Sequence, residues 1–341
     1  MSERVLIVRM SAMGDLVQTT PVARGIKKAL PDCHLTWVAQ SPFASLLEHN
    51  PHLDELIILP HRKFRVHDLL EAWWKLKAGD FTITVDPQGL LKSALLAWTS
   101  GAPLRIGHAE AREAATFAYT EVSPERDGQV YVSQRYLELC ESLGVDRDDY
   151  VPEIFLVDDD YAPVDELLAA RGIDADRPLV AIAPCAAEAR KEWPEANFVR
   201  LIEMVVAEYD AQIVIPGAPG ERERAERLVE RLDVSATVLA GETNMRQVAA
   251  LLARCDLLIG GESGLTHICY AVGTPLVCIV GPTPLRNGPT GPLARTVYAE
   301  GIDCRPCRRK DCPHSRCLHK ITPEMVMAAV RDLAAETGLG G

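Results

Sequence analysis

The chain has 341 residues, 48% of them hydrophobic and 25% charged, a length that predicts two domains and a composition that excludes disordered, collagen-like and mucin-like classes. Its apolar runs, such as Val5-Leu6-Ile7-Val8, fall far short of the ~20 residues of a membrane span. A formal charge of −12 repels nucleic acid and anionic membranes as a whole-molecule field, so any anionic ligand needs a local basic patch.

The chain enters a strand-like run almost at once, with Glu3 and Arg4 ahead of it and no small-residue cleavage site behind a proper apolar region, which argues against export. Residues 4–10 read as a strand and 18–30 as a helix, followed by strands at 34–39, 55–59, 81–85 and 104–107 with helix-like segments between them. Continuous rather than alternating apolar runs are what a parallel sheet covered on both faces requires. After a helical stretch at 134–143, the segment 152–160 with Asp158-Asp159-Asp160 and the following Pro163 reads as a linker. A second alternation then places strands at 179–183, 211–216, 237–239, 256–260 and 276–280, and helices at 194–208, 221–232, 245–254 and 264–272. A last helix at 323–336 carries Val326, Ala329, Val330 and Leu333 at helical spacing. The fold class is therefore α/β, two doubly wound Rossmann-like halves with ligands expected in a cleft at the carboxyl ends of the strands. The expected domains are 1–157 and 158–322, with 323–341 as a helix and tail packing back toward the first half.

Six of the ten cysteines (Cys33, Cys140, Cys185, Cys255, Cys269, Cys278) are scattered singly through apolar segments, the habit of a reduced cytosolic protein. The other four, Cys304-x2-Cys307-x4-Cys312-x4-Cys317, have the compact spacing of a small four-thiolate zinc site, with His314 and His319 as spare ligands. The choice there lies between a structural metal and free thiols.

Asp15, in Ser11-Ala12-Met13-Gly14-Asp15, stands at the first strand-to-helix turn and reads either as a helix cap or as a general base for an acceptor hydroxyl. Gly260-Gly261-Glu262-Ser263-Gly264-Leu265-Thr266-His267 reads as a phosphate-binding turn or as a capped turn with His267 on an inner face. Its spacing misses the dinucleotide, P-loop and serine-hydrolase fingerprints. Lys191, just before Trp193-Pro194, points a cation at a bound phosphate or is a solvated loop lysine. Pro194 suits a first helical position. Arg62, Lys63, Arg65, Lys92 and Arg112 form a local basic excess that marks an anion site or a solvated face.

Taken together, these segments resemble the bacterial ADP-heptose:lipopolysaccharide heptosyltransferase family over nearly the whole chain. The carrying residues are Val5 to Arg9 with Gly14-Asp15 and Thr19-Thr20-Pro21, Lys191-x-Trp-Pro194, Glu262 to His267, Gly273-Thr274-Pro275 and Gly281-Pro282-Thr283. The runs Asp86 to Ala94 and Ala111-Arg112-Glu113 are most similar to the branch that adds heptose to the Kdo sugars of lipid A. The resemblance implies a GT-B fold and an inverting glycosyltransferase that needs no catalytic metal. ADP-heptose or a related nucleotide sugar would bind the second half, and an anionic lipid-linked sugar acceptor the first. By position it makes Asp15 the base and Lys191 the diphosphate ligand. Ser263, Gly264, Leu265 and His267 would line the phosphate turn, and Glu221 or Glu223 would meet the ribose or adenine. Lys92 and Arg112, with Arg62 or Lys63, would meet acceptor phosphate and carboxylate groups. The family usually carries Asp where this chain has Glu262, and the cysteine-rich segment recurs in many of its members. A cytoplasmic protein touching the inner membrane peripherally is implied. The rival readings are a nucleotide-sugar epimerase of the same fold, which needs no basic acceptor patch, and a non-catalytic nucleotide-sugar-binding scaffold.

Overall fold

The computed structural model describes residues 2–60, 66–124, 130–307, 309, 312 and 314–339, with backbone alone for 66–69. The chain divides into two units, Met1–Phe155 and Leu156–Gly341. The first contains β1 (Arg4–Val8), α1 (Met13–Ala29), β2 (His34–Gln40), β3 (Glu55–Leu59), α2 (Val66–Ala78), β4 (Ile83–Asp86), α3 (Leu91–Thr99), β5 (Leu104–His108), β6 (Glu121–Ser123) and α4 (Val132–Glu138). The second contains α5 (Asp158–Ala170), β7 (Leu179–Ala183), α6 (Glu195–Tyr209), β8 (Gln212–Ile215), α7 (Arg222–Val229), β9 (Ala236–Val238), α8 (Met245–Arg254), β10 (Leu257–Gly261), α9 (Gly264–Ala271), β11 (Leu276–Ile279), β12 (Ala294–Val297), α10 (Arg316–His319) and α11 (Pro323–Thr337).

Each unit is built on a six-stranded sheet, in the orders β3-β2-β1-β4-β5-β6 and β9-β8-β7-β10-β11-β12, and every strand pairing within them is parallel. Counted within its own unit, each sheet runs 3-2-1-4-5-6, the doubly wound order. The central strands are apolar throughout: Val5, Leu6, Ile7 and Val8 of β1 and all of β7 are buried, as strands covered on both faces must be. In the first unit Leu6, Val8, Val38 and Ile57 meet Leu76 of α2. In the second, Val180, Ile213 and Ile259 meet Phe198 and Leu201 of α6.

Several boundaries differ from the sequence reading. The helix expected from residue 18 begins at Met13, a start the sequence does not announce because its capping residue, Ala12, offers no side-chain acceptor. The expected linker at 152–160 ends in a helix: Asp158, Asp159 and Asp160 form the first turn of α5, with Pro163 inside it. Asp160 accepts from the Val157 amide at 2.9 Å and pairs with the buried Arg246 of α8. Pro194 caps α6 rather than opening it. The C-terminal helix, expected to turn toward the first half, contributes Val326, Met327, Val330 and Leu333 to the core of the second unit. Strands β6 and β12 were not anticipated; each is short and only partly buried.

Candidate active site

In a doubly wound sheet the strand order reverses between the first and fourth strands, and the crevice beyond their carboxyl ends is the natural ligand site. In this chain those crevices lie past β1 and β4 in the first unit, and past β7 and β10 in the second.

Past β1 comes Arg9, only 4% exposed. Its guanidinium donates to the Pro87 carbonyl at 2.8 Å and to the Tyr136 hydroxyl at 2.9 Å, and lies 5.0 Å from the Tyr136 ring centre. The same nitrogen that meets Tyr136 lies 2.9 Å from Oδ2 of Asp15, whose side chain is 46% exposed. Burial disfavours the charge on Arg9, but Tyr136, Asp15 and Asp86 outweigh it and hold the pKa above its ordinary value. Asp15 is the third residue of α1, and the cap position belongs to Ala12. The carboxylate therefore stands in the first turn, where unpaired helix amides favour negative charge, held from below by a buried cation.

The β4 side of this crevice is organised by Asp86, fully buried. Its carboxylate accepts from the amides of Gln88 and Gly89 at 3.0 and 3.1 Å and from the Tyr119 hydroxyl at 2.7 Å. Burial nevertheless pushes its pKa up. So fixed, Gln88 accepts from the Met10 amide at 2.8 Å, and Lys92 donates to the Ser11 hydroxyl at 3.2 Å. Gly89 has φ +62°, a conformation glycine adopts without strain, and its carbonyl accepts from the Arg112 amide at 2.9 Å. Lys92 and Arg112 thus flank one loop with exposed side chains. Arg62, Lys63 and Arg65 lie outside the described residues. His108, beside Arg135 and Arg9, is driven down to about 4 by burial first and then by those two cations, so it is neutral at physiological pH.

In the second unit Glu262 follows β10 and Ser263 caps α9. The Lys191 amine lies 2.8 Å from Oε2 of Glu262, and Nε2 of His267 lies 3.9 Å from Oε1. Glu262 and His267 are 11% and 4% exposed in their side chains and Lys191 is 19% exposed. Burial raises the Glu262 carboxyl, but His267 and Lys191 outweigh it and hold it below its ordinary value. Ser263 makes no capping bond; its hydroxyl sits 3.3 Å from that of Thr266, which donates to the Gly261 carbonyl. The first amides of α9 are thereby left without that side-chain partner, beside a half-buried Leu265, an arrangement that suits an anion. Glycine is required just before: a Cβ at Gly260 would come within 2.7 Å of the Ala183 Cβ.

The sequence-predicted residues therefore fall into two sets. Asp15 and Lys92, together with Arg112, border the first crevice, and Lys191, Glu262, Ser263, Gly264, Leu265 and His267 the second. Glu221 turns back to accept from the Ala218 amide at 2.7 Å, whereas Glu223 is 86% exposed and pairs with Arg227. Sequence reasoning missed the roles of Arg9, Tyr136 and His108. The available signal was Arg9 itself, a cation ending an apolar strand, where burial demands a partner.

Of the clustered cysteines, Cys304 is exposed and Cys317 buried. Burial, with Cys304, Cys312 and Cys307 nearby, pushes the Cys317 thiol up. Among the described residues no three His, Cys, Asp or Glu side chains form an ion-binding set. Also among the described residues, no helix is long and apolar enough to cross a membrane.

The chain is similar to lipopolysaccharide heptosyltransferase 1 of Pseudomonas aeruginosa, 29% identical over 91% of this chain and 88% of that one. It is also similar to lipopolysaccharide heptosyltransferase 1 of Salmonella typhimurium, 29% identical over 82% and 89%. The solved structure of E. coli heptosyltransferase WaaC with ADP superimposes with a TM-score of 0.73 at 26% identity, covering 97% of this chain and all 100% of that one. A glycosyltransferase family 9 structure from Veillonella parvula shares the fold with a TM-score of 0.82 at 22% identity, over 98% and 97%. The architecture is thus that of the GT-B heptosyltransferases. The model of glycosyltransferase family 9, the heptosyltransferases, matches residues 69–318, and the chain belongs to that family of glycosyltransferases.

Proposed function

We propose that this glycosyltransferase moves heptose from ADP-heptose to the Kdo region of lipopolysaccharide, an anionic lipid-linked acceptor, with inversion at the anomeric carbon. The observation that carries the reading is the Asp15 carboxylate, half exposed at the mouth of the first crevice and pinned through Oδ2 by a buried guanidinium. In the proposed reaction Asp15 takes the acceptor hydroxyl proton, the hydroxyl oxygen bonds to the anomeric carbon, and the bond to the diphosphate breaks with its electron pair leaving on ADP. Lys191 and the α9 amides offset the charge that grows on the leaving group, and a chelator should leave transfer unchanged. Lys92 and Arg112 meet the acceptor's anionic groups, at the cytoplasmic face of the inner membrane. Glu262 and Glu221 stand nearest the donor sugar and nucleoside in this reading, Glu223 being turned to Arg227.

The test is mass spectrometry of acceptor lipid incubated with the pure protein and a panel of nucleotide sugars. Heptose should add from ADP-heptose alone, and Asp15→Asn should slow it by ~10²–10⁴ with ADP affinity kept. Near-normal turnover in that variant removes Asp15 as the base. We also propose that Cys304, Cys307, Cys312 and Cys317 draw together around one structural zinc, outside the chemistry, since a closed thiolate site leaves no open position. Elemental analysis under reducing conditions tests it; four freely alkylated thiols without metal would end that proposal.

A further inference from the structure

Of the five tryptophans, Trp37 and Trp193 are buried, but Trp73, Trp74 and Trp98 are 41%, 64% and 60% exposed. They lie on two helices that pack against each other. On α2, Ala72 and Leu76 face the core while Leu70, Trp73 and Trp74 face away from it, the two indoles meeting edge to face at 4.8 Å. On α3, Ser93, Ala94 and Ala97 are buried, leaving Leu91, Leu95 and Trp98 exposed at i, i+4 and i+7, one stripe of a helix. The Lys77 amine joins the two stripes: it would lie 3.7 Å from a Cβ at Gly101, just past the end of α3. Exposed large apolar side chains gathered on two packed helices are the kind of surface that marks an interaction site.

We propose that this face of α2 and α3 docks the first unit onto an anionic lipid bilayer. Charge favours that occupant. Glu71 answers Lys75 at 2.9 Å, but among the described residues no carboxylate pairs with Lys77, so a cation stands beside the exposed indoles in a chain of net charge −12. Tryptophan with lysine at its edge is the chemistry of a membrane interface. A second copy of the chain, packed through the same face, would oppose those lysines with their like. Continuity favours it too, and here the inference rests on the proposed lipid-linked acceptor. The first turn of α3 reaches the catalytic crevice through Lys92 and Ser11, while the same helix carries Leu91, Leu95 and Trp98 outside. A bilayer against that stripe presents the acceptor's headgroup to Asp15.

Flotation of the full chain with phosphatidylethanolamine–phosphatidylglycerol vesicles, against pure phosphatidylcholine, tests the proposal. The chain should float with the anionic vesicles, with a blue shift in tryptophan emission. Trp73→Ser/Trp74→Ser/Trp98→Ser should bind them roughly tenfold or more weakly, with its melting temperature and ADP affinity kept. Lys77→Glu should lose the preference for anionic lipid. On vesicle-borne acceptor the triple variant should be slow, and on deacylated acceptor normal. No vesicle binding by the unmodified chain, equal binding by the triple variant, or a dimer that the triple variant abolishes overturns the surface. Should no acceptor receive heptose while vesicle binding follows the expected pattern, the docking surface stands and the proposed reaction falls.

Discussion

The two crevices occupy equivalent places in sheets of the same order, yet their charges are set at different depths. In the first, the cation is buried and the anion half exposed: Arg9 and Asp15 are 5% and 46% exposed in their side chains. In the second, both partners are sheltered, Lys191 at 19% and Glu262 at 11%. A carboxylate held out on a buried cation is presented to whatever enters, as a proton acceptor must be. A closed pair has its cation already answered, so in the proposed reaction an incoming diphosphate would have to compete with Glu262 for the Lys191 amine. In the proposed reaction one topology would thus serve two chemical tasks through the depth at which each charge is set.

Replacing the cation on each side probes that contrast most strongly. Arg9→Met should lower kcat by ~10² or more, toward the loss in Asp15→Asn, with the donor Michaelis constant little changed. Arg9→Lys should recover only part of it, because an ammonium cannot reproduce the guanidinium fork shared among Pro87, Tyr136 and Asp15. Steady-state kinetics decide; a rise confined to the donor Michaelis constant would make the two crevices alike and break the comparison.

Lys191→Ala should weaken ADP binding by roughly tenfold to a hundredfold, the worth of a hydrogen bond to a charged group, and should also destabilise the fold by stranding Glu262. Adding Glu262→Gln should restore the melting temperature but not the affinity. Calorimetric titration alongside thermal melts separates the two effects, and recovery of both would mean that the lysine serves only its partner.

Smaller effects are expected at Lys92 and Arg112. Their joint replacement by alanine should raise the acceptor Michaelis constant several-fold and flatten its salt dependence, since exposed charges are screened over ~8–10 Å, while ADP binding holds.

The smallest concerns pH. His108 is lowered to about 4 from an ordinary 6.5, so between those values the unfolded chain binds the proton that the folded chain refuses. Its contribution to stability is complete above about 6.5 and is lost as pH falls toward 4. His108→Gln should shrink that acid-side loss, read as the shift in urea midpoint between about pH 7 and pH 5.

How much of this was legible beforehand follows from where the signals sit. Residues 55–59 and 245–254 were read with the boundaries observed. The helix announces itself through the Asn244 side chain, which accepts from the Gln247 amide, and the strand through its unbroken apolar run. Where a cap has no side-chain acceptor, as at Ala12, no capping residue marks the start. Asp15 and Lys191 were legible as charges at strand-to-helix turns, but their partners were not. Arg9 is near Asp15 in the chain, but the Tyr136 that fixes its guanidinium lies 127 positions away; Glu262 lies 71 positions from Lys191, and no periodicity carries information over such separations. The acidic run at 158–160 misled because three carboxylates suit a solvated linker and a helix start equally well; only the distant Arg246 distinguishes them.

That last pair bears on how the molecule can be cut. Asp160 receives Nε and Nη2 of Arg246, the former at 2.6 Å, and both residues are buried. A fragment begun after the acidic run, where the sequence invites a boundary, would keep Arg246 and discard Asp160, a buried counter-charge that it meets in α5. A fragment begun at Leu156, where the second unit starts, retains the clasp. Any dissection of this enzyme into separately expressed halves therefore succeeds or fails on a few residues that look expendable.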